Sequence, residues 1–431
     1  MTKITIRAYN IGFGDCFLLK FPYSNSDGGD RFILIDFGTS SRPKKTKTDL
    51  PVKIAKDIKA QCNGHLHAVV VTHRHKDHLS GFSTKRTGIE SGDIIASLKP
   101  DLVVQPWTED PELPTDATSP KKIYAEGLNL GLNFVKNIYK RVKFLRNLQD
   151  PKNLQLVEEI KFLGRSNIAN KSAVDKLIEM AKGDKGEYVH YGSETRLNEI
   201  LPGVEVHVLG PPTIEQSEEV QKQRSKDATE YWHMQNTIFQ SLTPSSVSKD
   251  STPPLFPLFP DVEPISKEKL SPDSIWFADR VKTTHLEQIY SIVRILDRVL
   301  NNTSVILLFE FGDKKLLFSG DAQIENWEYA LAKPEIRKLL ADVNFYKVGH
   351  HGSLNATPKI LWDLFKNRNE DKDYDNRLIC LLSTKKGKHG SFSRGTEVPR
   401  GKLLKELKEN SNLIDTQEIE LGDLYTDINI G

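Results

Sequence analysis

The stretch that most constrains this chain runs over 68–78, where Ala68-Val69-Val70-Val71 leads straight into Thr72-His73-Arg74-His75-Lys76-Asp77-His78. The apolar, β-branched run reads as a buried strand. Four side chains of metal-binding type lie in the six residues His73 to His78, a density far above chance. Alternation at a strand end points His73 and His75 the same way. The turn that follows swings Asp77 and His78 toward a neighbouring point, so one segment can serve two metal ions. Imidazole with carboxylate selects zinc-like or manganese- and iron-like divalent ions over calcium. The plainer alternative is a surface histidine cluster.

Around this segment, short apolar runs at 4–8, 16–21, 32–35 and 102–105 alternate with turn chemistry and predict further strands. Between them, 50–61 carries Val52, Ile54, Ala55 and Ile58 as an apolar stripe with lysines opposite, the pattern of an amphipathic helix. Strand, helix, strand is an α/β pattern. From Pro111 the periodicity turns helical, over 124–148 and 173–181, with Lys136, Lys140, Arg141, Lys143 and Arg146 in the first. Those basic positions can face a polyanion, although a solvated helix face explains them more cheaply. Strand signals return at 187–191 and 204–209, and 211–273 is rich in Ser, Pro, Lys and Glu, the composition of a long loop. A helix is expected at 284–300, then strands at 304–311, 315–319, 343–348 and 378–383, and a closing hairpin over 416–430 that would complete the second sheet. No internal repeat of 20–50 residues is evident.

Composition narrows the function classes. With 60 Lys+Arg against 58 Asp+Glu the net charge is +2, which excludes a uniformly basic chain without excluding a local basic path. Cys16, Cys62 and Cys380 make no CxxC pair and no disulfide framework, which suits a reducing, cytoplasmic compartment. No secretory signal is visible, and the longest apolar runs are strand-sized, far below the roughly 18 residues a membrane span needs. No membrane role is expected.

Two later segments repeat the logic of the first. Leu316-Leu317-Phe318-Ser319-Gly320-Asp321 puts a carboxylate at a strand tip, and the strand at 343–348 runs into Gly349-His350-His351-Gly352-Ser353. Each is weak alone; in this order, each at a strand terminus, they are strong together.

The succession HxHxDH, strand to Gly-Asp, strand to His resembles the metallo-β-lactamase-fold hydrolases. Within them it is most similar to the hydrolase domain of the bacterial competence DNA-uptake channel, through Ile11-Gly12-Phe13-Gly14-Asp15-Cys16-Phe17-Leu18-Leu19, Leu34-Ile35-Asp36-Phe37-Gly38, His350-His351-Gly352-Ser353 and Leu382-Ser383. The likeness is spread over 4–108, 204–211 and 301–431. It implies one domain over 1–431, an α/β four-layer αββα sandwich, with a helical insertion at 111–200 and a polar loop and helix insertion at 212–300.

Carried over by position, the resemblance implies that His73 and His75 hold a first metal, Asp77 and His78 a second, and that Asp321 bridges them. Of His350 and His351 one completes the second site; strand direction favours His350, which leaves His351 facing substrate, as a proton donor to the leaving group. Asp36 orients the histidine loop and Asp15 shares its rim, although an ordinary turn aspartate explains either equally well. Asn302, Ser353, Ser383 and His389 complete the expected surroundings. There is one departure: the third histidine usual for the first metal is replaced in Leu300-Asn301-Asn302-Thr303-Ser304 by asparagine, as in competence-type relatives, so a weakly held first metal is expected. His190, His207, His233 and His285 are the other candidates, each more simply a packed or surface residue.

The activity implied is hydrolysis by a metal-activated hydroxide, with zinc first and manganese or iron as alternatives, and Asp77 or Asp321 holding the water. The resemblance tilts the substrate toward phosphodiesters, as a nuclease or phosphodiesterase, with nucleic acid as a partner. Small esters, lactones or phosphoesters are the alternative, as is a non-catalytic metal-binding module that uses 212–300 as a protein-partner surface. Lys385-Lys386-Gly387-Lys388-His389-Gly390-Ser391, after the strand at 378–383, is either a phosphate-binding loop near the pocket or an exposed flexible one. Trp107 is expected to pack, or to wall the pocket.

Overall fold

The computed structural model describes residues 3–24, 28–44, 46, 49–85, 89–111, 170–213, 215–217, 301–353, 357–388, 397–420 and 422–431. The helices expected at 124–148 and 284–300, the basic positions in the first of them, and His233, His285, His389 and Ser391 lie outside the described residues.

The chain is a mixed α/β structure with two sheets. The first contains β1 (Ile4–Tyr9), β2 (Cys16–Phe21), β3 (Arg31–Phe37), β4 (Ala68–Val70), β5 (Leu102–Pro106), β6 (Gly186–Val189) and β13 (Tyr425–Ile430), in the order β13-β1-β2-β3-β4-β5-β6. The second contains β7 (Val204–Gly210), β8 (Ile306–Phe311), β9 (Lys314–Phe318), β10 (Phe345–Lys347), β11 (Ile379–Leu382) and β12 (Asn412–Asp415), in the order β12-β11-β10-β9-β8-β7. β3 to β6 pair parallel in the first sheet and β9 to β12 parallel in the second. Burial matches this: Phe32 to Phe37 and the whole of β4, β5 and β10 are buried, as parallel strands covered on both faces require.

Apolar side chains divide into three clusters. One gathers Phe17, Ile33, Ile35, Val70 and Val104 from the first sheet with Leu307, Phe309, Phe318 and Leu381 from the second. Another joins the opposite residues of the first sheet, Leu34, Val69 and Val103, to Leu50, Ile54, Ala55 and Ile58 of the helix Leu50–Gln61 and to Ala173 and Leu177 of the helix Lys171–Met180. The third joins Leu308, Leu317, Tyr346 and Cys380 of the second sheet to Trp327 and Leu331 of the helix Ile324–Leu331 and to Leu407 of the helix Gly401–Asn410.

Two expectations change. The closing hairpin does not form: Tyr425–Ile430 is a single strand antiparallel to β1, paired Ile4↔Ile430 to Tyr9↔Tyr425, on the first sheet instead of the second. Asp427 explains the preference, since the Arg7 guanidinium makes two hydrogen bonds of 2.8 Å to it and stacks on Tyr425. Part of the expected insertion at 111–200 is also built into the fold, because β6 extends the first sheet beside β5 and Lys171–Met180 packs on its face. Among the described residues no helix is long and apolar enough to cross a membrane.

Candidate metal centre

The site forms where the parallel strands of both sheets release their carboxyl ends. β3 carries Asp36 as its penultimate residue, β4 leads through Thr72 into the histidine segment, β9 into Gly320-Asp321, β10 into His350-His351 and β11 into Ser383. Exits of parallel strands are the usual place for a site in an open α/β sheet, because side chains from sequence-distant segments converge there.

Local chemistry builds the histidine segment. Its Lys76–Leu79 turn is closed by the His75 carbonyl, which accepts from His78 N at 3.0 Å and Leu79 N at 3.1 Å. Asp36 clamps the segment onto β3, accepting from Thr72 N at 2.7 Å and from Thr72 Oγ1 at 2.8 Å. A Cβ on Gly38 would lie 2.5 Å from the backbone nitrogens of His78 and Leu79, so only glycine lets the β3 exit approach this turn. Asp36, His350 and His351 have φ of 54°, 41° and 53°. Left-handed backbone at non-glycine residues is costly, and its concentration here marks a functional constraint.

His73, His75 and Asp321 bring ligand atoms within 4.8 Å of one another, and so do Asp77, His78 and His351. Within the first group His73 Nε2 lies 3.0 Å from His75 Nδ1 and 4.0 Å from Asp321 Oδ2. Within the second, His351 Nε2 lies 3.4 Å from Asp77 Oδ2. Asp321 Oδ2 stands between the groups, 3.2 Å from His78 Nε2 and 3.8 Å from His351 Nε2. The expected residues His73, His75, Asp77, His78 and Asp321 therefore converge. The atoms gathered with Asp77 and His78 belong to His351, whose side chain is 0 % exposed; His350 is 28 % exposed, with Nε2 3.8 Å from Asp321 Oδ2 and Nδ1 2.9 Å from Ser353 Oγ.

These side chains can hold metal ions. His78 Nε2, His351 Nε2 and Asp321 Oδ1 are buried without a hydrogen-bond partner, which is expensive unless something else engages them. Metal bonds of about 2.0–2.1 Å in a tetrahedral shell put adjacent donor atoms about 3.3 Å apart, close to the spacings seen. The tautomers agree. The Ser383 carbonyl only accepts, so His351 Nδ1 donates to it at 2.8 Å and keeps a lone pair on Nε2. His78 Nδ1, 2.8 Å from Asp36 Oδ2, does the same.

Electrostatics point the same way. Burial, with the neighbouring His78 and His75, holds His73 well below the ordinary histidine range and therefore neutral, as a ligand must be. Burial opposes ionisation of Asp77 and Asp321, but contacts with His351 and His78 for the former, and with His78, His350 and His351 for the latter, outweigh it and hold both well below the carboxylate range. Burial also opposes charge on His78, yet Asp321 and Asp36 keep its pKa well above the ordinary value; His351 is raised by Asp321 and Asp15. The carboxylates thus favour a cation at this place, protons or metal.

Asp15, Asp36 and His78 form a further close group, but it already has a cation. Lys347, 1 % exposed, has its ammonium in direct ion contact with Asp15, 3.8 Å from Asp321 Oδ1 and donating to the Gly320 carbonyl at 3.3 Å. Sequence reading passed over it; the available signal was a lone lysine inside the apolar strand Phe345-Tyr346-Lys347-Val348. Thr72 was likewise unremarked, although its hydroxyl links Asp36 to the histidine rings.

Of the remaining expected residues, Ser383 Oγ donates to the Gly14 carbonyl at 2.5 Å, tying the second sheet to the loop that carries Asp15. Asn302 stays outside both groups, its Nδ2 donating to Glu325 Oε2 at 3.4 Å. His190 contacts the Tyr191 carbonyl, and His207 lies 3.6 Å from Glu205 and 3.7 Å from Glu310; neither joins a ligand group. Trp107 is buried, and Glu109 of the same turn pairs with Arg74 of the histidine segment at 3.3 Å.

No protein-family model matches the chain, and a search of curated proteins found no match.

Proposed function

We propose that this chain is a metal-dependent hydrolase of the metallo-β-lactamase superfamily, acting on phosphodiester bonds. In this reading it is one four-layer αββα domain over 1–431, with an insert at 212–300 and another within 111–200 ahead of the helix Lys171–Met180. The observation that carries it is the convergence of His73, His75, Asp77, His78, Asp321 and His351 from three strand exits, with buried imidazole and carboxylate atoms that lack hydrogen bonds. The layered reading is supported by an apolar cluster shared between the sheets and one helix-covered cluster on each outer side.

His73, His75 and Asp321 would hold one divalent ion, zinc first with manganese or iron as alternatives, and Asp77, His78 and His351 a second, with the Asp321 carboxylate lying between the two groups. Bound ions would supply Lewis-acid polarisation of a phosphoryl oxygen and a water of lowered pKa. Asp36 and the Ser383 carbonyl keep His78 and His351 in the tautomer that leaves Nε2 free for a ligand bond. His350, turned outward beside Ser353, exchanges places with His351 relative to the sequence expectation and donates a proton from Nε2 to the leaving oxygen.

Asp77→Ala removes a ligand without touching the Asp36 clamp. Turnover of a small chromogenic phosphodiester by the metal-loaded protein should drop by about 10²–10³-fold or more; turnover equal to the parent's would overturn the reading. A second reading, a metal-binding module without catalysis, draws on the first group, which gains no third histidine among the described residues. It predicts less than one ion per chain together with no turnover on any divalent metal.

A further inference from the structure

The backbone of the Gly320-Asp321 turn, at the exit of β9, is held on every side. Gly320 has a φ of 51°, and a Cβ there would lie 2.8 Å from Thr72 Cβ, so the turn admits only glycine. The Gly320 carbonyl accepts from His350 N at 3.3 Å and from Lys347 Nζ at 3.3 Å, while Asp321 N donates to Ser304 Oγ at 3.2 Å. Rotation of the side chain is the freedom that remains, and it decides which oxygen of Asp321 meets the imidazoles.

The two oxygens keep different company. Among the described residues, His73, His78, His350 and His351 come nearest to Oδ2, at 4.0, 3.2, 3.8 and 3.8 Å, whereas Lys347 comes nearest to Oδ1, at 3.8 Å. Oδ1 is buried and accepts no hydrogen bond, so the ammonium is what compensates its burial. Lys347 is itself locked in place. It pairs with Phe318 of β9 and Leu381 of β11, and its carbonyl accepts from Ser319 Oγ at 3.3 Å. Its ammonium is in ion contact with the fully buried Asp15 and lies 6.0 Å from the centre of the Phe17 ring. An ammonium has no lone pair, so it can orient a ligand without becoming one.

We infer that Lys347 is the positioning residue of Asp321: it holds the Oδ1 side of the carboxylate and so presents Oδ2 to the imidazoles of both ligand groups. The inference rests on the metal-binding part of the hydrolase reading and needs no turnover. A carboxylate standing between two groups serves both, so losing its orientation weakens both ion sites, whereas a support behind one imidazole acts on one.

The test compares metal binding by the parent chain, Asp15→Asn and Lys347→Met/Asp15→Asn, titrated from the metal-free state with zinc and, for spectroscopy, with cobalt. Asp15→Asn keeps the ammonium beside Asp321 and is the reference; the double variant removes the ammonium without leaving Asp15 charged. Relative to that reference the double variant should bind both ions about 10–100-fold more weakly, the usual cost of losing a group that orients a ligand. The visible absorption of its cobalt form should change in position or intensity. The direction is diagnostic, because losing a positive charge would by Coulomb attraction alone tighten the binding of a divalent ion. Tighter binding would overturn the inference in favour of a merely repulsive charge. Equal affinities with an unchanged cobalt spectrum would overturn it in favour of a role confined to folding. If the double variant does not fold, Lys347→Met/Asp15→Leu replaces the whole pair by apolar groups, a change that buried ion pairs often tolerate, and the same loss is expected against the parent. A parent that binds ions without turnover breaks the hydrolase reading alone; variants that bind as their reference does break this inference alone; a parent that takes up no divalent ion breaks both.

Discussion

In the group Asp77, His78 and His351, each imidazole is held from behind: His78 Nδ1 rests on Asp36 at 2.8 Å and His351 Nδ1 on the Ser383 carbonyl at 2.8 Å. In the group His73, His75 and Asp321, the rings lean on each other at 3.0 Å, and the support for His73 is a threonine hydroxyl at 3.2 Å. A carboxylate or carbonyl behind the ring fixes both tautomer and orientation, whereas a hydroxyl that can turn fixes neither. The braced group should therefore bind its ion first and more tightly. By resemblance, Asn302 stands where a further histidine would serve the group of His73 and His75.

The largest effect should come from the cation beneath both groups. Lys347→Met removes the ammonium in ion contact with the buried Asp15 carboxyl, and breaking a buried pair from one side costs about 3–5 kcal/mol. Chemical denaturation should show that loss; Lys347→Met/Asp15→Asn should recover much of it, and a single variant as stable as the parent would deny Lys347 this role. Next in size, Asp36→Asn keeps an acceptor oxygen for Thr72 N–H but removes the charge behind His78. Metal titration should show the tighter site weakened by about 10–100-fold and the weaker one changed less. Equal weakening of both would erase the proposed contrast between the groups.

The smallest effect lies outside the centre, at an imidazole fixed by one backbone group. His67 Nδ1 accepts from Phe32 N at 3.1 Å, and burial, with His65 and Arg31 nearby, lowers its pKa from 6.5 to about 4. The folded chain then binds fewer protons than the unfolded chain between those values, so this contribution is present above pH 6.5 and is lost as pH falls through about 4. His67→Gln should flatten that part of the stability–pH curve; an unchanged slope would assign it to other groups.

Most strands, the helix Leu50–Gln61 and the convergence of five residues of metal-binding type were legible in the sequence because each depends on local pattern: a period of two, a period of 3.6, or histidine and aspartate at a strand exit. Which of His350 and His351 turns inward was not, because both sit in left-handed backbone after β10 and strand alternation does not extend through such residues. Lys347 escaped notice for a related reason: a lysine in an apolar strand is anomalous only until its counter-ion, Asp15, arrives from the other sheet. The last strand was assigned to the wrong sheet, since its partner is set by Arg7 and β1, more than four hundred positions away in the chain.

Composition and pattern by themselves determined an α/β chain with ligand-bearing strand exits, because backbone periodicity and side-chain chemistry are properties of neighbouring residues. Only the tertiary structure decided which imidazole faces Asp77 and which cation neutralises Asp15. Those pairings join segments from opposite ends of the chain, and their energies exist only once packing has removed the water between them.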